Sequence, residues 1–162
     1  MGFYDDISIY YDKIFSTGKS QLEFIKNAAG TPPKNILDVA CGSGGYSIEL
    51  AKAGYKVWAV DLDEKMIGIA VKRAKDENTD LIAAKSDMLE LKNTVRQKFD
   101  CIFCIGNSLV HLTGADKITE ALSQMHDLLY DNGSLILQII NYDRILDKKI
   151  TSLPEIKNEA EG

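Results

Sequence analysis

Short apolar runs separated by amphipathic stretches divide this chain. Residues 36–39 (ILDV), 56–62 (KVWAVDL), 81–84 (LIAA), 99–105 (FDCIFCI) and 134–140 (SLILQII) predict five buried strands. Between them apolar side chains recur at helical spacing: Ile48, Leu50 and Ala51; Met66, Ile67, Ala70 and Ala74; Ile118, Ala121, Leu122, Met125, Leu128 and Leu129. Residues 3–30 read as a helical prelude broken at Gly18, with Ser20 capping its second helix and Gly30 following it. Pro32-Pro33 precedes the first strand, Gly54 closes a helix, Asp63 is an N-cap, and Asp131-Asn132-Gly133 ends the last long helix. Strands alternating with helices predict a doubly wound α/β fold with a parallel sheet in the order 3-2-1-4-5 and right-handed crossovers. The switch point of that order lies between the strands ending at Val39 and Ile105.

The most informative stretch is 35–54, NILDVACGSGGYSIELAKAG, in which a strand passes through a small-residue turn (Ala40, Cys41, Gly42, Ser43, Gly44, Gly45) into a helix. Such a turn brings bare backbone N–H groups and the positive end of a helix to one point, which suits a polar cofactor. Asp61 ends the next strand 19 positions after Gly42, about the ~20-residue offset at which an acid receives ribose hydroxyls. Asp38 stands inside the first strand, where it can accept hydrogen bonds from the turn backbone or from a ligand amino group.

Other chemistries fit less well. A dinucleotide fingerprint wants glycine at the sixth position counted from Gly42, and Ser47 stands there; a P-loop wants Gly-Lys-Ser/Thr, and the turn has no lysine. Cys101-x-x-Cys104 lies in a strand, where residues three apart point to opposite faces and cannot chelate one ion, so the two are expected as core residues and no metal is expected. Gly106-Asn107-Ser108-Leu109-Val110 resembles a nucleophile elbow but ends in valine, and a serine hydrolase would leave Asp61 without a role.

Composition narrows the classes further. The 162 residues are 45% hydrophobic and 27% charged, as in a single globular domain. No apolar run approaches the ~18–20 residues of a membrane span, and no signal segment is expected. A net charge of −5 argues against nucleic acid as a partner, and three cysteines without framework spacing point to a reducing, cytoplasmic setting.

The segment 35–54 resembles motif I of the class I S-adenosylmethionine-dependent methyltransferases, and VDLDEKMI resembles the segment that follows it. CIGNSLVHL and INYDRIL are similar to the active-site segments after the fourth and fifth strands in the glycine/sarcosine N-methyltransferase group. The resemblance runs from about Tyr4 to Leu146. It implies a Rossmann-like core over 32–146, an N-terminal cover over 1–31, and S-adenosyl-L-methionine as cofactor. Asp38, Ala40, Gly42, Gly44 and Asp61 would hold that cofactor, with Leu62 near the adenine, Asp87 at its amino group and Met88 flanking the ring. Met66, a core residue by its spacing, and Ile105 complete the implied cofactor set. Tyr4, Tyr11 and Lys19 of the cover would reach the methionine carboxylate. Asn107, His111 and Tyr142 would face a small-molecule acceptor, Asn107 orienting it and His111 relaying its proton or bonding the cofactor. His126 is expected to be structural.

Two departures from the family stand out. Glycine-methylating relatives carry an arginine where this chain has Ile140, which cannot pair with a substrate carboxylate, so the acceptor and the choice of N- or O-methylation stay open. The family sheet also continues past the fifth strand, whereas residues 147–162 form a polar tail. The fifth strand is therefore expected to need cover, from a further segment or from a second copy in a homodimer. Two other function classes remain at this point: a cofactor-binding module without methyl transfer, and an NAD-dependent oxidoreductase, which Ser47 disfavours.

Overall fold

A computed structural model of the chain describes residues 17–152. Among the described residues, β1 (Asn35–Val39), β2 (Lys56–Asp61), β3 (Leu81–Lys85), β4 (Phe99–Cys104) and β5 (Leu129–Leu137) form one parallel sheet in the order β3-β2-β1-β4-β5. The helices are α1 (Lys19–Ala29), α2 (Gly45–Lys52), α3 (Glu64–Asp76), α4 (Leu91–Thr94), α5 (Ala115–Asp127) and α6 (Tyr142–Asp147), with a 3-10 turn at Leu109–His111. The expected doubly wound fold and strand order are both present. No helix among the described residues is long and apolar enough to cross a membrane.

The apolar character of β1 and β4 follows from their central place. Leu37, Val39, Ile102 and Cys104 face Leu91 of α4 and Ala121 and Met125 of α5. Ile36, Cys101 and Phe103 face Leu22 and Ile25 of α1 and Leu50 of α2. Each fully buried aliphatic side chain contributes roughly 1.5–3 kcal/mol by leaving water, so a central strand clad on both faces is stabilised along its whole length. Cys101 and Cys104 accordingly lie on opposite faces of the sheet, as their spacing predicts. At the N-terminal edge of the sheet, Asp100 accepts the Asn35 N–H at 2.8 Å and an ion pair from Lys34 at 2.9 Å, tying the start of β1 to β4.

Three sequence expectations need correction. Ser20 does not cap α1: the helix starts after Gly18, whose N–H donates to the Tyr46 hydroxyl at 3.0 Å, and Ser20 donates to Gln21 within the first turn. The fifth strand begins at Leu129 rather than 134 and ends at Leu137 rather than 140, and α5 stops at Asp127. Phe99 pairs with Leu129 and Cys101 with Ser134, so residues 130–133 stand opposite the single residue 100. The turn signal Asp131-Asn132-Gly133 is therefore spent on a bulge inside β5 and not on ending a helix. His126 projects from α5 with its side chain 85% exposed, so it has no place in the core. Among the described residues β5 is terminal in the sheet, with Tyr130 and Leu137 exposed.

Candidate functional site

The turn after β1 is held from three sides. Ala40, Gly42 and Gly44 all take positive φ, and the Cys41 N–H crosses to the Val60 carbonyl at 3.0 Å. Gly44 is required twice over: its φ is +79°, and a Cβ there would lie 2.9 Å from the Ala70 Cβ of α3. Asp61 pins the turn from β2, its Oδ2 accepting the Gly42 N–H at 2.8 Å while Oδ1 accepts the Asp63 N–H at 2.9 Å. Arg73 of α3 donates to both the carbonyl and the hydroxyl of Ser43 at 3.2 Å. The Ser86 N–H donates to the Asp61 carbonyl at 2.9 Å, which brings the loop after β3 alongside.

Asp38 lies beneath this turn, 3% exposed. Among the described residues its hydrogen-bond partner is the Ser47 hydroxyl, which donates to Oδ2 at 2.6 Å from the first turn of α2. The turn-backbone role considered for Asp38 thus falls to Asp61. Burial pushes the Asp38 carboxyl up to about 7; the Ser47 hydrogen bond acts the other way, and the nearby charge of Asp61 adds to the rise. Burial also raises Asp61, against the N–H bonds it accepts from Asp63 and Gly42. Among the described residues Asp38 is therefore a buried acid without a countercharge, an arrangement that favours a cationic ligand.

The surroundings suit the rest of a nucleoside. Leu62, just past β2, exposes 64% of its surface beside Asp61, and Met88 is half-buried across the loop after β3. Asp87 folds its own loop by accepting the Leu89 N–H at 2.9 Å. Met66 is 3% exposed on the inner face of α3, so its spacing is expressed as core packing. Asp61 uses both oxygens on backbone N–H groups, and a carboxylate has acceptor capacity beyond these. An acid for a cation, an acid for hydroxyls and flanking apolar surface together fit an adenosyl amino acid.

Across the switch point, β4 ends at Cys104 and the chain turns through Ile105, Gly106 and Asn107, the last two at φ +77° and +69°. Asn107 sits in the left-handed region that asparagine tolerates better than most residues. Its Nδ2 donates to the Tyr142 hydroxyl at 2.9 Å and its Oδ1 accepts the Ile140 N–H at 3.0 Å. The structure thus brings Asn107 and Tyr142 together and gives Ile140 a backbone role. His111, in the 3-10 turn, is exposed and takes no part in that hydrogen-bond set. An open cleft of about 340 Å³ runs beside Ile105 between α1 and the end of β5, bordered by Gln21, Phe24, Leu137 and Gln138. Lys19 opens α1 exposed, and Tyr4 and Tyr11 lie outside the described residues. Thr17 approaches the turn closely: a Cβ on Gly45 would come 2.5 Å from its Oγ1.

Ser47 and Arg73 are site residues that sequence reasoning missed. Ser47 was visible only as a glycine that is absent. The usable signal was its place one helical turn before Leu50 and Ala51, on the face turned to the sheet, where a buried hydroxyl needs a partner.

Comparison with known proteins agrees with this geometry. A family profile described as a methyltransferase domain matches residues 36–133. The glycine/sarcosine N-methyltransferase of Aphanothece halophytica is 34% identical over 129 residues, covering 80% of this chain and 49% of that protein. The glycine N-methyltransferase of Mus musculus is 34% identical over 122 residues, covering 68% and 42%. The chain thus spans about half the length of these relatives. The crystal structure of an S-adenosylmethionine-dependent methyltransferase from Clostridium acetobutylicum superposes with a TM-score of 0.75 at 24% identity, covering 89% of this chain and 60% of that one. A turn held open between two acids at the switch point of a 3-2-1-4-5 sheet, together with the family match over 36–133, places the chain among the class I S-adenosylmethionine-dependent methyltransferases.

Proposed function

We propose that this chain is the cofactor-binding part of an S-adenosyl-L-methionine-dependent methyltransferase acting on a nitrogen or oxygen of a small molecule. The observation that carries the reading is the pair of acids at the ends of β1 and β2. Among the described residues Asp38 is buried without a countercharge, and Asp61 both shapes the turn and keeps acceptor capacity. When bound, the cofactor supplies an electrophilic methyl group on a sulfonium, for in-line displacement by the acceptor. The residues of the chain do the holding. Asp38 faces the ammonium group, Asp61 takes the ribose hydroxyls, and Leu62 and Met88 cover the base beside Asp87. The positive-φ turn over Ala40, Gly42 and Gly44 lets the ligand approach the backbone closely. Ile105 forms the floor on the acceptor side.

On that side Asn107 and Tyr142 act as one unit, because the amide that orients an acceptor also fixes the tyrosine hydroxyl. Alignment of donor and acceptor and exclusion of water supply most of the acceleration in such a transfer. His111 is the candidate to take the acceptor proton. Ile140 presents its backbone to Asn107 and carries no positive charge, so an acceptor without a carboxylate at that point is favoured. A second reading, cofactor binding without transfer, draws support from the exposure of both Tyr142 and His111.

The test is Asp61→Ala. Losing the ribose acceptor and the Gly42 anchor together weakens S-adenosylhomocysteine binding by about 1–3 kcal/mol, read by calorimetry. Unchanged affinity in a folded variant removes Asp61 from the site.

A further inference from the structure

We infer that Ser47 is a positioning residue for the cofactor: its buried hydroxyl anchors one oxygen of Asp38 and so presents the carboxyl group, as a carboxylate, to the ligand's ammonium group. The inference rests on the cofactor reading above and adds to it a residue and a proton.

The geometry is specific. Ser47 is 0% exposed and Asp38 is 3% exposed, so neither group exchanges its partner for bulk water. The 2.6 Å separation is in the range of a hydroxyl donating to an ionised carboxylate. Among the described residues, Asp38 is hydrogen-bonded by Ser47 of α2 and lies within electrostatic reach of Asp61 of β2, Cys41 of the turn and Cys104 of β4. None of them is a cation, and burial raises both thiols so that they stay uncharged. The Ser47 hydroxyl is thus the group in this set that favours the carboxylate. Arrival of an ammonium group supplies a countercharge that the described residues do not. Any proton still on Asp38 then leaves: its O–H bond breaks, the proton passes to buffer, and the carboxylate remains paired with the ligand.

The experiment is a calorimetric titration of the whole chain with S-adenosylhomocysteine, at pH 7, in two buffers of different ionisation enthalpy. The difference in heat counts protons released. With Asp38 held near 7, the wild-type chain releases about half a proton per site. Removing the hydroxyl in Ser47→Ala raises Asp38 by about one further unit, so release climbs to roughly 0.9 proton, and affinity at pH 7 falls about fivefold but recovers to within about twofold at pH 9. Ser47→Thr keeps a hydroxyl and restores the wild-type count. Asp38→Asn releases none from this site. A purely structural role for Ser47 would weaken binding equally at both pH values and leave the proton count unchanged, which overturns the inference. If wild-type binding and its Asp38-dependent release are intact while Ser47→Ala matches them, the inference fails alone. If the folded wild-type chain does not bind, the cofactor reading fails and takes the inference with it.

Discussion

Asparagine at position 38 tests the electrostatics of the site without any ligand. In the folded chain Asp38 holds its proton up to about pH 7, against 3.8 for an unperturbed aspartate, because burial disfavours the carboxylate. A group raised in this way favours the folded state most at low pH. Its contribution is complete below 3.8 and is lost as pH rises towards 7, because the unfolded chain releases the proton first. Between pH 5 and pH 8 the loss amounts to roughly two pKa units, or about 2.5 kcal/mol. With only 3% of the residue exposed, solvent screening takes little from that figure. Asp38→Asn keeps the shape and the Ser47 contact but cannot ionise. Urea unfolding at the two pH values should therefore show the wild type losing about 2.5 kcal/mol more than the variant on going from pH 5 to pH 8. Titrating groups away from Asp38 are common to both chains and cancel in the comparison, whereas Asp61, coupled to Asp38, is relieved of a like charge in the variant. Parallel stability–pH curves would refute the claim that burial keeps Asp38 protonated in the folded chain.

Two further outcomes follow from the geometry. Gly44→Ala meets both a left-handed backbone and the Ala70 Cβ at 2.9 Å, so thermal or chemical unfolding should show a loss of about 1–3 kcal/mol together with weaker cofactor binding. Wild-type stability in that variant would mean that the turn can relax elsewhere. Asn107→Ala removes both bonds to the segment after β5, so amide exchange at Ile140 should accelerate by about tenfold while β1 stays protected. Unchanged exchange at Ile140 would show that other contacts hold the segment.

The fold was largely legible because its strands are short apolar runs bounded by glycine, proline and polar clusters. A doubly wound order then follows from their alternation with helices. What misled was local chemistry reused for another purpose. Asp131-Asn132-Gly133 is a genuine turn signal, but the chain spends it inside β5, where residues 130–133 bulge opposite residue 100. Ser20 is a good N-cap in isolation, yet the Gly18–Tyr46 bond starts the helix earlier. In the site, the turn and the offset to Asp61 were readable because backbone conformation restricts residue type at each position. The Asp38–Ser47 pair was not, since its two members lie on different elements and meet only after α2 packs onto β1. Motif reading counted Ser47 as a departure from a pattern, whereas the fold makes it the partner of the buried acid.

The central claim is tested most directly by calorimetric titration of this 162-residue chain with S-adenosyl-L-methionine. Saturable one-to-one binding that is weakened by Asp61→Ala is the result the account predicts. Absence of binding by a chain whose cooperative unfolding shows it to be folded would contradict it.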